Sequence, residues 1–166
     1  APTMPMSNTA GMEALTKPRD IAGAKKLIAE SGYKGEPAMI MSPSDQPVLA
    51  QMSQVAAELF KSIGLNVDLQ SMDWGSVVTR RASQKPLDQG GWGAFITVMS
   101  PLTAANPGSM LPLRGNGTKG WFGWPTDPAM EALRDKWFDS PDLAAQKAVC
   151  RDMQALAFEN LPFFPV

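Results

Sequence analysis

The sequence of 166 residues contains no histidine and only one cysteine, and these shortages exclude several kinds of site. Without histidine there is no imidazole base to activate a nucleophile, and the usual nitrogen ligand of zinc is missing. Cys150 has no second cysteine with which to form an internal disulfide. We therefore expect no metal ion, no cofactor and no enzyme activity.

Long apolar runs and an excess of either charge are also absent. Lys and Arg number 15 against 16 Asp and Glu, so the net charge of −1 provides no basic field for nucleic acid. No run approaches the roughly 20 apolar residues that span a bilayer, and residues 1–12 have neither the basic nor the apolar part of a secretory signal. The hydrophobic fraction of 44% is that of a globular chain, and the length suits one domain.

Hydrophobic periodicity predicts a strand, a helix and a second strand in the first half of the chain. Residues 38–41 form a short apolar run, typical of a buried strand. Apolar residues then recur every three or four positions over residues 46–63, and residues 65–72 alternate between apolar and polar. Such a unit places its two strands parallel, with a right-handed crossover. The apolar stripe of the predicted helix comprises Val48, Met52, Val55, Leu59 and Ile63, widened by Leu49, Ala56 and Phe60.

The other segments predict further helices and strands, so we expect one α/β lobe over residues 1–166. Its sheet should be mixed but mainly parallel, with helices on its flanks. The predicted elements are an extended leading segment at 1–18, helices that begin near Asp20, near Gly75, at Asp127-Pro128 and at Ser140-Pro141-Asp142, a third strand at 95–99 and a final strand at 161–166.

Three tryptophans in irregular segments are the first candidates for a ligand site. Trp92, Trp121 and Trp124 lie next to glycines, which let the backbone pass close to a ligand while the ring is presented. Trp121 and Trp124 end a stretch from 101 to 125 without a regular period, and a loop of that length is usually functional. Two interpretations stay open: the rings pack the loop onto the domain, or they form an aromatic wall for a ligand.

Short polar side chains follow the first and third predicted strands. Ser44 and Asp45 come after the first strand, and Ser100, Thr103 and Asn106 come after the third. Ligands of open α/β sheets bind outside the carboxyl ends of the strands, where such side chains can reach them. We expect these residues and the tryptophans to lie at one edge of the sheet.

The sequence positions of several other side chains predict a structural role for them. Cys150 lies on a helical apolar stripe, and Trp74 and Trp137 are expected to pack in the core. The carboxylates of Asp127 and Glu131 have the spacing of solvated charge on a helix surface. An adaptable ligand surface is the alternative to core packing for the methionines in irregular segments, which are Met4, Met6, Met12, Met99 and Met110.

Three stretches carry a resemblance to a known family. The first is RDIAGAKKLIAESGYKGEPAMIM, the second is QPVLAQMSQVAAELFKSIGLNVDLQSMDW, and the third is GWFGWPTDPAMEALRDKW with the final FENLPFFPV. In this order they resemble the extracellular solute-binding proteins of family 5, the dipeptide, oligopeptide and nickel type. The resemblance covers nearly all of residues 17–166.

The resemblance implies a lobe of the type II periplasmic-binding-protein kind, which binds a peptide or other small solute between two lobes without chemistry. It implies that this chain is most of the second lobe, and that its partners are the missing first lobe and the membrane subunits of an ABC importer. It also implies a periplasmic or extracytoplasmic location. Peptide-binding members often carry an acidic residue after the third strand, whereas SPLTAANPGS has Asn106 before Pro107 and no carboxylate. Recognition of a peptide's amino group there is therefore not predicted.

Two other functions stay open from the sequence. An effector-sensing lobe of a cytoplasmic regulator would share the strand–helix–strand architecture and would be joined to a DNA-binding module. A hydrolase fragment is the remaining alternative, with Cys150 as the nucleophile to test.

Overall fold

The computed structural model describes residues 6–165, and the chain divides into two compact units. The sheet unit is Pro18–Val98, and the helical unit joins Ala1–Lys17 to Met99–Val166. That residues 1–166 act as a single lobe stays a prediction. None of the helices in the described part of the chain is both long and apolar enough to cross a membrane.

The helices and strands follow in chain order. The helices are α1 (Glu13–Thr16), α2 (Ile21–Glu30), α3 (Pro47–Ser62), α4 (Trp74–Arg80), α5 (Pro128–Phe138) and α6 (Leu143–Asn160). The strands are β1 (Pro37–Pro43), β2 (Asn66–Met72) and β3 (Ala94–Phe95). Short 3₁₀ helices lie at Leu87–Gln89, Thr103–Ala105, Leu111–Leu113 and Gly117–Lys119.

The strands of the sheet unit form a parallel sheet in the order β2-β1-β3. β1 and β2 pair over their whole length, from Pro37 opposite Asn66 to Pro43 opposite Met72. The predicted strand–helix–strand unit is therefore confirmed, with α3 between the two strands. Under the sheet lies a buried cluster, the sheet core, formed by Met39, Met41 and Val77.

The third strand is shorter than the one predicted at 95–99. β3 pairs with β1 only opposite Ile40 and Met41. Pro43 at the end of β1 has no N–H group, so it cannot extend the ladder by donating a further hydrogen bond. An apolar, β-branched sequence gives a strand only where a neighbour supplies the pairing.

Helix α3 buries only part of the apolar stripe that the sequence predicted. Leu49, Ser53 and Ala57 are buried, whereas Val48 and Val55 are 65% and 71% exposed. The small side chains at 53 and 57 let the helix lie close to β1 and β2. The buried hydroxyl of Ser53 donates to the carbonyl oxygen of Leu49 at 2.8 Å, so its burial leaves no polar group unsatisfied.

The helical unit is built on α5 and α6, which pack against each other. α5 begins where predicted, because Asp127 accepts a hydrogen bond from the backbone N–H of Met130. α6 begins at the end of the predicted Ser140-Pro141-Asp142 signal, because Asp142 rather than Ser140 is the cap and accepts from the backbone N–H of Ala145. Trp137 packs against the buried cluster of this unit, as expected. That cluster, the helical core, is formed by Met130, Val149 and Met153.

Two predictions at the ends of the chain are wrong within the described residues. α1 replaces part of the extended segment predicted at 1–18, since Glu, Ala and Leu favour a helical turn. Leu161–Pro165 forms no strand: Leu161 ends α6 with a φ of +46°, and two prolines follow it. Residues 1–5 and Val166 lie outside the described part, and so does the methionine at position 4.

Candidate functional site

At the carboxyl end of the sheet, Ser44 and Asp45 tie the ends of β1 and β2 together. Ser44 donates from its backbone N–H to the carbonyl oxygen of Met72 at 2.7 Å and from its hydroxyl at 3.2 Å. Asp45 accepts from the backbone N–H of Trp74 at 2.8 Å. Both residues are exposed, so they lie on the surface that an α/β sheet offers to ligands.

An aromatic group at the same sheet includes the candidate residue Trp92. Its ring meets Phe95 edge to face with centroids 5.1 Å apart, and both pack against the sheet core together with Trp74. The guanidinium of Arg81 lies 5.7 Å from the Trp74 ring and 5.8 Å from the Phe95 ring, within cation–π range. Burial lowers the pKa of Arg81 from its usual high value. Trp74 is therefore the packing anchor that the sequence predicted, and a ligand contact for Trp92 stays a prediction.

The polar residues after the third strand form a hydrogen-bonded loop in the helical unit. The hydroxyls of Ser100 and Thr103 are 2.9 Å apart. The Asn106 side chain accepts from the backbone N–H of Ser109 at 3.1 Å, and the Ser109 hydroxyl donates to the carbonyl oxygen of Thr103. These side chains orient one another, which fixes the direction in which each could meet a solute.

An apolar groove in the helical unit has a volume of about 350 Å³. Among the eight candidate residues, Asn106 is the one that lines it. Its walls include three of the methionines that the sequence offered as an adaptable surface, together with core and C-terminal residues that the sequence did not single out. The main apolar residues around it are Met6, Met12, Met110, Met153, Phe158 and Phe163.

Cys150 lies in the wall of this groove and is buried, as its place on a helical stripe predicted. Burial raises the pKa of its thiol. At pH 8 the thiol is therefore expected to react with a disulfide reagent about 100-fold more slowly in the folded protein than in denaturant. The absorbance of the released thionitrobenzoate, followed over time, measures both rates. Equal rates would contradict the burial of Cys150.

Trp121 and Trp124 belong to a closed loop that we call the aromatic loop, residues 117–125. The N–H of Asp127 donates to the carbonyl oxygen of Gly115 and that of Gly117 donates to Pro125, both at 2.9 Å. Within the loop, the N–H of Trp124 donates to the carbonyl oxygen of Trp121 at 2.9 Å. The ends of the loop are thus held together by backbone hydrogen bonds.

The two tryptophans are half-buried, and the loop places a third ring beside them. Trp121 and Phe122 have ring centroids 4.9 Å apart. Trp124 has a φ of +50°, a conformation that a bulky residue rarely adopts and that is often found where function requires it. The loop therefore presents several large rings from a well-defined backbone.

Glu131 at the base of this loop corrects a prediction, because it is not a solvated surface charge. Its side chain is 25% exposed and makes an ion pair with Arg114, whose Nη2 lies 3.1 Å from Oε2. It also accepts from the backbone N–H of Gly115 at 2.8 Å. Helical spacing gave no sign of these partners, because they come from a loop rather than from α5.

Two opposing effects act on the pKa of Glu131. Burial raises it, but hydrogen bonds from Arg114 and Gly115 and the charges of Arg114 and Arg134 bring it below the ordinary value of 4.5. The carboxylate is therefore ionised at neutral pH. Its stabilising contribution is complete above 4.5 and is lost as the pH falls through the lowered pKa.

The eight candidate residues fall into both units. The sheet unit contains Ser44 and Asp45, which are neighbours in the chain, and Trp92. The helical unit contains the loop with Ser100, Thr103 and Asn106, and the aromatic loop with Trp121 and Trp124. That the eight form a single ligand site stays a prediction.

Comparison with known proteins identifies the family. The sequence profile of the bacterial extracellular solute-binding proteins, family 5 (middle), matches residues 1–121. The chain belongs to this family. A relative in Sinorhizobium fredii, named as a probable peptide ABC transporter periplasmic-binding protein, is 41% identical over 143 residues, which is 86% of this chain and 27% of that protein.

Solved structures of similar fold are also solute-binding proteins, and they confirm an α/β fold of the type II periplasmic-binding-protein kind. AppA from Clostridium difficile, described as a peptide-binding protein, superposes with a TM-score of 0.77 at 15% identity, over 95% of this chain and 31% of AppA. A dipeptide-binding protein from Pseudoalteromonas in complex with Met-Leu has a TM-score of 0.68 at 19% identity, over 99% of this chain and 32% of that protein. The chain thus spans about 27–32% of the length of these family 5 and related proteins.

Proposed function

We propose that this chain is part of an extracytoplasmic solute-binding protein that delivers a peptide or other small solute to an ABC importer. The observation that carries the proposal is membership of family 5, supported by 41% identity to a protein whose name describes peptide transport. The location outside the cytoplasm follows from the same relationship. No bond of the solute is made or broken in this function.

The mechanism that we propose is closure of a clamp around the solute. The chain supplies one side, and a first lobe outside this sequence supplies the other. A solute that contacts both sides favours the closed state in proportion to its better contacts there. The membrane subunits of the importer then bind the closed, loaded protein.

The aromatic loop is the surface that we propose for the solute. Trp121 and Trp124 combine a large apolar face with a polar ring nitrogen, which suits stacking on planar or apolar groups of a ligand. Ser44, Asp45 and Trp92 in the sheet unit, and Ser100 and Thr103 in the helical unit, are proposed to add further contacts. Each of these contacts can be tested separately by substitution.

Asn106 makes recognition of a peptide's ammonium group less favourable. A peptide's ammonium group is best recognised by a carboxylate, and the segment 100–109 has none. The Asn106 side-chain oxygen already accepts from the N–H of Ser109 at 3.1 Å. We therefore propose that this segment recognises an uncharged part of the solute.

Uptake by whole cells tests the proposed function. In the bacterium that carries the gene, we expect deletion to lower the uptake of at least one radiolabelled peptide to the background level, and the full-length gene to restore it. The variant in which Val55, exposed on α3, is replaced by alanine should restore uptake equally well. Unchanged uptake of all peptides and small solutes in the deletion strain would refute the function.

A further inference from the structure

We propose that Glu131 is a positioning residue that holds the aromatic loop in its ligand-binding shape before the solute arrives. The inference rests on the proposed function, since it assumes that the loop contacts the solute. It deepens that function by naming the group that prepares the loop. Glu131 itself lies at the base of the loop, so we do not assign it a contact with the solute.

The first support is the number of partners that converge on one carboxylate. The Nε of Arg114 lies 3.1 Å from both carboxylate oxygens, and Nη2 lies 3.1 Å from Oε2. The N–H of Gly115 donates to Oε1 at 2.8 Å, and the Nε of Arg134 lies 3.7 Å from the same oxygen. A two-oxygen contact with arginine fixes the geometry as well as the distance.

The second support is the position of these partners in the chain. Arg114 and Gly115 lie just before the aromatic loop, separated from it by one residue, and Asp127, two positions after it, caps the helix that carries Glu131. The N–H of Asp127 donates to the carbonyl oxygen of Gly115, so both ends of the loop are joined to the first turn of α5. Asn160 in α6 donates to the second carboxylate oxygen of Asp127 at 2.9 Å and links this base to the end of α6.

The third support is the tight fit at the base of the loop. A Cβ atom on Gly115 would lie 2.5 Å from the carbonyl oxygen of Asp127 and 2.8 Å from its nitrogen. Such contacts are too short, so only glycine allows the two chain segments at the base of the loop to come this close. The N–H of Gly115, brought close in this way, points to Oε1 of Glu131.

The physical consequence of these contacts is that the aromatic loop is ordered before the solute binds. A loop that becomes ordered only when it binds loses conformational freedom, and the affinity falls accordingly. If Glu131 keeps residues 117–125 in one shape, that loss is already complete before binding. Removing the carboxylate should therefore weaken binding without removing any contact to the solute.

The test uses the full-length protein and two substitutions of Glu131. Glu131→Ala removes every contact, whereas Glu131→Gln keeps one oxygen that can accept from Gly115. We expect Glu131→Ala to weaken binding of the peptide whose uptake is lost on deletion of the gene about tenfold, and Glu131→Gln to weaken it about threefold. Glu159→Gln, an exposed carboxylate on α6, is the matched control and should leave the affinity unchanged.

Two further measurements separate positioning from general stability. Hydrogen exchange of the amides in 115–127 should become about tenfold faster in Glu131→Ala, while exchange in α6 stays as in the wild type. With 5-fluorotryptophan, the ¹⁹F resonances of Trp121 and Trp124 should shift or broaden, and that of Trp74 should not. Unchanged exchange and unchanged resonances would overturn the inference, because the carboxylate would then not hold the loop.

The failure of this inference can be told apart from the failure of the proposed function. If replacing both loop tryptophans lowers the affinity but Glu131→Ala does not, the loop binds solute and Glu131 does not prepare it. If replacing the tryptophans leaves the affinity unchanged, the loop is not the solute surface, and the inference fails with that part of the proposed function. Faster exchange together with weaker binding supports the inference.

Discussion

The double variant Trp121→Ala/Trp124→Ala of the full-length protein is expected to bind its solute at least about 30-fold more weakly than the wild type, a loss of about 2 kcal/mol. Large aromatic side chains supply most of the energy of many binding sites, because they bury wide apolar surfaces with few rotatable bonds. The aromatic loop holds both rings on a closed backbone. Isothermal titration calorimetry measures the two affinities.

Two controls make this result specific. Phe164→Ala removes an aromatic ring that is 70% exposed and lies outside the aromatic loop, and it should change the affinity less than about twofold. Far-UV circular dichroism and thermal unfolding should show that the double variant is folded. A folded double variant with wild-type affinity would mean that Trp121 and Trp124 only pack the loop.

Met130→Ala is expected to lower the free energy of unfolding by about 2–5 kcal/mol. Met130 is 2% exposed and packs in the helical core with Val149 and Met153. Truncation removes apolar contacts and leaves a cavity between α5 and α6. The cavity closes only in part, because the closely packed helices have little room to move towards each other. Chemical denaturation, followed by tryptophan fluorescence, measures the effect.

The matched substitution is Leu102→Ala, which removes a side chain that is 82% exposed in the same unit. It should change the free energy of unfolding by less than about 0.5 kcal/mol. Equal effects of the two substitutions would contradict the burial of Met130 and with it the packing of α5 on α6.

The elements with strong periodicity or clear caps could be predicted from the sequence. α3 and β2 form where the apolar patterns predicted a helix and a strand, and the two last helices begin at Asp127 and within the predicted Ser140-Pro141-Asp142 signal. These signals are local, since capping and periodicity depend on residues within one or two turns. The parallel pairing of β1 with β2 followed from the helix between them.

The predictions that failed depend on contacts between distant residues. The exposed face of α3, with Val48 and Val55, could not be separated from the buried face by periodicity, because both faces contain apolar residues. The third strand ended early because pairing stops at Phe95. The local sequence does not show where a neighbouring strand of the sheet begins and ends.

The candidate site was predictable only in part for the same reason. Glycines beside Trp121 and Trp124 indicated a loop that presents rings, and the structure has a closed loop there. The role of Glu131 was missed, since its partners Arg114 and Gly115 are 17 and 16 positions away. Without knowledge of such partners, a carboxylate on the polar face of a helix is predicted to be a solvated surface charge.

Calorimetric titration of the full-length protein with a set of di- to pentapeptides tests the central claim most directly. If this chain contributes to a solute-binding clamp, at least one peptide should bind saturably, with about one molecule per protein and a Kd in the micromolar range or below. The peptide should leave the titration chemically intact. Absence of saturable binding by every peptide, together with unchanged uptake of all other small solutes in the deletion strain, would contradict the account, and so would cleavage of the peptide during the titration.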